Sequence, residues 1–415
     1  MCFLVVGQFC TYRVLLLLYP LVFTENVLNM SSDSLLMEPQ ERIVWLDWMR
    51  IMACFMVMVV HSTEPFYLGG EGSQILSASN AYWAAFFDSV VRCCVPLFVI
   101  ASSYLLFPLK QSVGVFVRRR AVRILVPFVL WSLFYAFYWG DPVSNLKDLV
   151  FNFNYSAGHL WFVYMLVGLY LLMPLLSPWA ERVQKRELSV YIGIWIFTSM
   201  IPLVRDWLST EPLAVTYGPT GIPRQALYPL WGEASWNAYG TFYYFSGFIG
   251  YLLLGLWLRK FGKEISCAKS WLYGLPSFLV GFAIVIGGFL RRVFEMAQGE
   301  FPVGHLINDA VWWETTWCND TLGVVLMTIG LTLLMKNITV NGSFYRAVIL
   351  PVSKASYGMY LGHMVALAAF SAYYQSLLDS TPLIILATAI SSYITVAIVA
   401  IAVQRIPVIG KYIIG

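Results

Sequence analysis

Charge is what this 415-residue sequence has least of: Asp, Glu, Lys and Arg together make up only 12% of it. A soluble domain carries about a quarter, so a charged, water-facing surface around a soluble core is excluded. The net charge of +4 is too small to suggest a nucleic-acid partner. Cysteines are few and scattered. None of the seven has metal-ligand spacing, and an odd number among apolar neighbours argues against a disulfide framework. They read as small apolar core residues, and no metal is expected. No alternation of period two is sustained, which argues against a β-barrel. Histidine is scarcest of the chemically versatile residues, with four in the chain.

What the sequence has is apolar length. Hydrophobic residues make up 59% of it, and the mean hydropathy is +0.71. A membrane-crossing helix needs about 20 mostly apolar residues. Such stretches occur near 43–62, 83–107, 121–139, 160–178, 188–204, 239–258, 271–290, 317–335, 350–372 and 382–403. The spans near 188 and 317 are the weakest. The expected fold is an all-α polytopic membrane protein of about ten transmembrane helices, forming one membrane domain over 37–415. In residues 1–36, Arg13 precedes an apolar run from Val14 to Phe23 that is too short to span. This reads as an N-terminal extension upstream of a working start at Met37 or Met30, with an interfacial segment as the alternative.

Lys and Arg gather in cytoplasmic loops of membrane proteins. With residue 42 inside, the inside segments hold 18 of the 26 and the outside loops 5. Both ends of the helical unit are therefore expected to be cytoplasmic. The two long outside connections, 205–238 and 291–316, mix aromatic and acidic residues: Trp231, Glu233 and Trp236 in one, Glu300, Asp309, Trp312, Trp313 and Glu314 in the other. Two readings stand, an interfacial aromatic belt or a sugar-facing surface of stacking rings and accepting carboxylates.

Ionisable residues inside spans are costly and default to functional candidates. The first span carries Asp47, Arg50 and His61. Eleven residues at 100° each bring His61 to within about 20° of the direction of Arg50, and roughly 16 Å beyond it. A polar stripe therefore runs along one side of this helix; an Asp47–Arg50 structural pair with an interfacial His61 is the bland reading. His159 opens the fourth span, as a cap residue or an acceptor-side group. Ser356, Tyr360 and His363 fall at i, i+4 and i+7 on one face of the ninth, as a core cluster or a functional one. His305 reads as a solvated loop residue. The basic connection Arg118, Arg119, Arg120 and Arg123 either anchors the cytoplasmic side or holds a phosphorylated ligand, because the Arg fork matches phosphate.

Four stretches together resemble the acyltransferase 3 family of integral membrane acyltransferases. Asp47-Trp48-Met49-Arg50 with His61 is similar to its D-x-L-R opening and Arg-x10-His spacing. Val95-Pro96-Leu97-Phe98 leading to Ser102 resembles its VPLFF-x-x-SGY segment. Arg119, Arg120, Arg123, Ile124 and Pro127 resemble RR-x-x-RI-x-x-P. Ser356-Tyr357-Gly358-Met359-Tyr360-Leu361-Gly362-His363 resembles SY-x-x-YL-x-H. His159-Leu160-Trp161-Phe162 is similar to a variant in a short-chain subgroup, and the closest subgroup by this resemblance O-acetylates the enterobacterial common antigen. Each motif alone is weak; the four in order, over about 41–405, are specific. Ser103 stands where the family has Gly, and Met49 where it has Leu; the serine bears on close helix packing.

The resemblance implies a multi-pass protein of the bacterial inner membrane. It implies an acyl-CoA donor, acetyl-CoA in first place, and an acceptor hydroxyl on a cell-envelope polysaccharide or lipid-linked glycan. It implies that His61 is catalytic, with His363 and Asp47 as further catalytic candidates. Arg50, Arg119, Arg120, Arg123, Ser102 and Tyr357 become donor-binding candidates, and His159 and Trp161 acceptor-binding ones. No permanently bound cofactor and no nucleic-acid partner are expected. An exporter that uses the same polar stripe as a translocation path is the rival reading.

Overall fold

The computed structural model of the chain describes residues 42–67, 73–74, 77–151, 155–208, 240–296, 306–307, 314–408 and 410–415. The N-terminal extension, His305 and most of both long outside connections lie outside the described residues. Among the described residues the elements are helices, apart from Ser73–Gln74 paired antiparallel with Leu306–Ile307. In lipid every backbone polar group must be satisfied within its own segment, which leaves helices as the way for this sequence to cross.

The first helix, α1 (Val44–Thr63), is the hub. Next come α2 (Ala78–Val91) and α3 (Cys94–Leu106), separated by a break at Arg92 and Cys93, then α4 (Val113–Arg120) and α5 (Val126–Tyr138). A short helix, α6 (Pro142–Phe151), leads to α7 (Trp161–Arg182) and α8 (Lys185–Leu208). The second half comprises α9 (Ile249–Phe261), α10 (Cys267–Met296), α11 (Leu322–Met335), α12 (Leu350–Leu377), α13 (Thr381–Gln404) and the short α14 (Gly410–Ile414). Helix α1 packs against α2, α3, α12 and α13.

Among the described residues nine helical stretches are long and apolar enough to cross a membrane, against about ten expected. The tenth candidate, α12, has the length at 28 residues. Its serines, tyrosines and His363 lower its hydropathy, and these same residues build the site below. Two further expectations need correction. Arg118–Arg123 do not lie in a connection: helix runs unbroken from Val113 to Tyr138. Nor does an outside connection begin at Arg291. Helix α10 continues to Met296 and buries Arg292, because the pattern through Phe289, Leu290, Val293 and Phe294 holds no breaker.

Two π-turns, Ala121–Leu125 and Tyr345–Ile349, interrupt the regular helix. Each is followed by a residue pair ending in proline, Val126-Pro127 and Leu350-Pro351. Proline has no N–H to give to the carbonyl four residues back. A single wide turn absorbs that loss, and such turns gather at functional sites.

Helices α10 and α11 meet through glycines seven residues apart. A Cβ added to Gly281 would lie 2.5 Å from the carbonyl oxygen of Gly323, and one added to Gly330 would lie 2.5 Å from that of Gly274. Small residues let helix backbones approach where lipid supplies no hydrophobic drive. Ser103 is accommodated in the same way. Its hydroxyl donates to the Leu252 carbonyl at 2.6 Å, and its side chain occupies the space that a Cβ on Gly255 would take.

Candidate active site

Helices α1, α3, α7 and α12, with the π-turn before α5, enclose a cavity of about 580 Å³. One end is cationic. Arg42, Arg50, Arg120, Arg123 and Lys354 line it, together with the side-chain carboxylate of Asp47. The other end is apolar, lined by Val57, Val95, Phe98, Phe162 and Tyr360. The four helices agree on this polarity. Along α1 the lining runs from Asp47 and Arg50 to Val57, and along α12 from Ser353 and Lys354 to Tyr360. Along α3 it runs from Leu106 back through Phe98 to Val95, and along α7 from Tyr170 back to Phe162. Ser102 and Tyr357 lie between.

Asp47 is buried and fully engaged. Arg42 donates to both its oxygens, Nε to Oδ2 at 2.7 Å and a terminal nitrogen to Oδ1 at 2.8 Å. Tyr345 and Ser353 each donate a hydroxyl at 2.6 Å. Burial and the neighbouring carboxylate push the Tyr345 phenol up, so it keeps its proton and remains a donor. Asp47 therefore ties α1 to the segment before α12 and to α12 itself. Fourteen residues of helix, about 21 Å, separate it from His61, so the structure does not bring Asp47 to the histidines.

Arg50 is left available. Its nearest terminal nitrogen is 4.0 Å from Asp47 Oδ1, beyond hydrogen-bond reach. Arg120 lies 5.9 Å from the ring centres of Phe116 and Tyr170, and its buried Nε has no hydrogen-bond partner. The π-turn residue Ile124 accepts from the Tyr357 hydroxyl at 2.8 Å, fixing α12 against the arginine-bearing helix. Arg119 points elsewhere: it is exposed, bonds Gln111 at 2.7 Å and does not line the cavity. Arg42, Ser353 and Lys354 were not singled out in the sequence, although Ser353 and Lys354 directly precede the segment Ser356–His363.

One turn beyond the apolar end lie three histidines. His61 follows Val57 on α1, His363 follows Tyr360 on α12, and His159 precedes Phe162 at the start of α7. The rings of His61 and His363 are 5.0 Å apart between centres, as are those of His363 and His159. None of the three lines the cavity. His61 Nδ1 is 2.7 Å from Oε1 of Glu64. His363 Nδ1 donates to the Tyr360 carbonyl, which leaves its Nε2 as the acceptor nitrogen, buried without a partner. His159 Nε2 is likewise buried without a partner. His61 retains partial exposure, with 18% of its side chain accessible, whereas His363 has none. The carboxylate of Glu64 was missed, although His61-x-x-Glu64 places it one helical turn on.

Trp161 is not part of this cluster. It packs on Phe248 with ring centres 6.0 Å apart and does not line the cavity. A second buried ionic group lies beside the histidines. Arg92 donates directly to Asp88, its i,i+4 partner, at 3.0 Å, Thr63 donates its hydroxyl to the same carboxylate at 2.9 Å, and Tyr67 donates to Glu314 at 2.9 Å. Arg92 stands 4.4 Å over the ring of Trp317. Among the described residues no group of three or more His, Cys, Asp or Glu could hold a metal ion.

The arrangement separates a cationic cavity end from a histidine cluster along α1. No curated protein and no solved structure gives a match to this chain. A match to the acyltransferase domain of the acyltransferase 3 family covers residues 43–403, from α1 to the last residue but one of α13, and every residue of the cavity apart from Arg42, Gln404 and Gly415. The chain therefore belongs to the acyltransferase 3 family of membrane acyltransferases.

Proposed function

We propose that the protein transfers a short acyl group, acetyl in first place, from acyl-CoA to a hydroxyl of a cell-envelope polysaccharide or lipid-linked glycan, as in the subgroup that O-acetylates the enterobacterial common antigen. The observation that carries this is the cavity itself, cationic at one end and apolar at the other, with His61 one turn past the apolar end. Phosphate and ribose phosphate suit Arg50, Arg120, Arg123 and Lys354. The pantetheine arm suits the Ser102 and Tyr357 stretch. In this reading the cationic end faces the cytoplasm of a bacterial cell with the protein in its inner membrane, and acceptor reaches His61 from the opposite side.

His61 then acts as the general base. Nε2 takes the hydroxyl proton as the oxygen attacks the thioester carbonyl. The tetrahedral intermediate collapses, the C–S bond breaks, and the thiolate takes the proton back from the imidazolium. The products are the ester and CoA with its thiol. Glu64 holds the Nδ1 proton and stabilises the transient cation.

The test is purified protein in liposomes supplied with labelled acetyl-CoA and a lipid-linked glycan. Label in the glycan, with one CoA thiol released per acetyl, is expected. Glycan moved across the bilayer without label or thiol release would favour the exporter. Binding of CoA should weaken by about tenfold or more in Arg50→Ala, the loss expected for one charged hydrogen-bonded contact.

A further inference from the structure

His61 stands in the last turn of α1, Glu64 directly follows that helix, and Pro65 comes next. Proline has no N–H to give to the His61 carbonyl four residues back. The turn that carries the His61–Glu64 pair therefore lacks one backbone hydrogen bond, and it lies at a helix end, where fraying begins.

The chain is gripped on both sides of Glu64. On the helix side, Thr63 donates its hydroxyl to Oδ2 of Asp88 on α2 at 2.9 Å, and a terminal nitrogen of Arg92 donates to the same oxygen at 3.0 Å. On the far side, Tyr67 donates to Glu314 at 2.9 Å, and the same Arg92 nitrogen lies 3.5 Å from the Tyr67 hydroxyl oxygen. Arg92 thus spans the two grips. Its guanidinium stands 4.4 Å over the ring of Trp317, whose Nε1 donates to Ser89 of α2 at 2.9 Å. Thr63, Tyr67 and Asp88 are buried.

A buried ion pair is weak evidence of stability, because apolar side chains of similar volume often serve as well or better. Inside a membrane span its groups are costly and default to functional candidates. What this pair supplies is geometry at the two residues flanking the Glu64–Phe66 turn. We infer that Asp88 and Arg92, acting through Thr63 and Tyr67, are positioning residues that hold Glu64 against Nδ1 of His61. This rests on the reading of His61 as the base. A misplacement of about 1 Å at a reacting group can cost about a hundredfold in rate.

The test is kcat and KM for acetyl-CoA, with lipid-linked glycan as acceptor, beside the Kd of free CoA. Single hydroxyls are removed, since loss of Asp88 or Arg92 leaves a buried charge unpaired and risks the fold. Thr63→Val and Tyr67→Phe should each lower kcat by about tenfold, within the range of coupled neighbours, with the Kd of free CoA unchanged. Thr63→Ser, which keeps the hydroxyl, should recover the loss. In a Glu64→Ala background neither substitution should lower kcat further, because residues acting through one group do not add. Thr63 Oγ1 also lies 2.6 Å from the Val60 carbonyl. Ser62, whose hydroxyl donates to the Met58 carbonyl at 2.6 Å, is the control for that bond within the helix, and Ser62→Ala should keep the parental kcat. Parental kcat in both Thr63→Val and Tyr67→Phe, beside a loss in Glu64→Ala, overturns the positioning role and leaves the base reading standing. An undiminished tenfold loss in the Glu64→Ala background, or an equal loss in Ser62→Ala, overturns it as well. Parental transfer by His61→Ala, or no transfer by the parent, overturns the base reading and the positioning role with it.

Discussion

His61 Nδ1 and Glu64 Oε1 lie 2.7 Å apart across the last turn of α1. A carboxylate only accepts, so Nδ1 carries the proton and Nε2 keeps the lone pair. The pair thus fixes which nitrogen of His61 is the base, and it does so within four residues of one helix. Glu64→Gln retains an acceptor oxygen but loses the charge that stabilises the imidazolium. Glu64→Ala loses both. Transfer should fall in the order Gln then Ala, neither reaching the ~10²–10⁴-fold loss expected for removal of the base itself, with the Kd for CoA unchanged. Parental transfer rates in both variants would leave Glu64 as a surface charge only.

Asp47 leads to a prediction about folding. It receives four hydrogen bonds from Arg42, Tyr345 and Ser353. Removing it leaves the exposed Arg42 to water and two buried hydroxyls, of Tyr345 and Ser353, without their acceptor, and each buried group left unpaired costs about 1–3 kcal/mol. Asp47→Ala should therefore lower the thermal midpoint of the detergent-purified protein strongly. Asp47→Asn keeps acceptor capacity and should lower it less. Unchanged melting of Asp47→Ala with transfer abolished would instead give Asp47 a chemical role.

Helical periodicity alone placed Arg50 and His61 on one face of α1; in the structure Arg50 lines the cavity and His61 lies one turn past Val57, outside it. It likewise put Tyr360 and His363 together on α12. These relations are local, and 100° per residue suffices to read them. The pairing of Asp47 with Tyr345 and Ser353 spans about three hundred residues, and no local pattern reports it. The same applies to the meeting of His61, His159 and His363, which belong to three helices. Arg119 and Arg120 are adjacent and chemically identical, yet one faces Gln111 and the other the cavity. A one-residue step of helix decides that, and the π-turn that follows could be anticipated only from Pro127. Glu64 was legible at i+3 from His61 and was passed over because it lies at the edge of the apolar run.

The glycines between α10 and α11 give a third prediction. Gly281 and Gly323 bring the two backbones too close for any side chain. Gly281→Leu should force the helices apart, and core overpacking costs about 1–3 kcal/mol, occasionally more. Gly287, which has nothing within 4 Å of an added Cβ, is the control: Gly287→Leu should be near neutral. Thermal unfolding in one detergent compares them, and equal midpoints would show that α10 and α11 are not held by this contact.

The last prediction separates His61 from His363. Both present a free Nε2 by the same logic, since Glu64 holds Nδ1 of one and the Tyr360 carbonyl holds Nδ1 of the other. They differ in access. His61 is partly exposed and His363 is sealed, so an acceptor hydroxyl can meet His61 directly, but His363 only through the ring of His61 beside it. A sugar hydroxyl is almost wholly protonated near neutral pH and needs a base within hydrogen-bond reach, a role imidazole fills. His61→Ala, shown to be folded and membrane-inserted, should lose transfer by about a hundredfold or more while keeping CoA binding. His363→Gln should lose less, because it shapes the surroundings of His61 without touching the hydroxyl. A covalent acyl-imidazole on His61 is the competing route. Labelled acetyl-CoA added without acceptor distinguishes the two: an unlabelled protein is expected for a base, and label that survives denaturation for a carrier. Near-parental transfer by His61→Ala together with collapse in His363→Gln would move the chemistry to the buried ring.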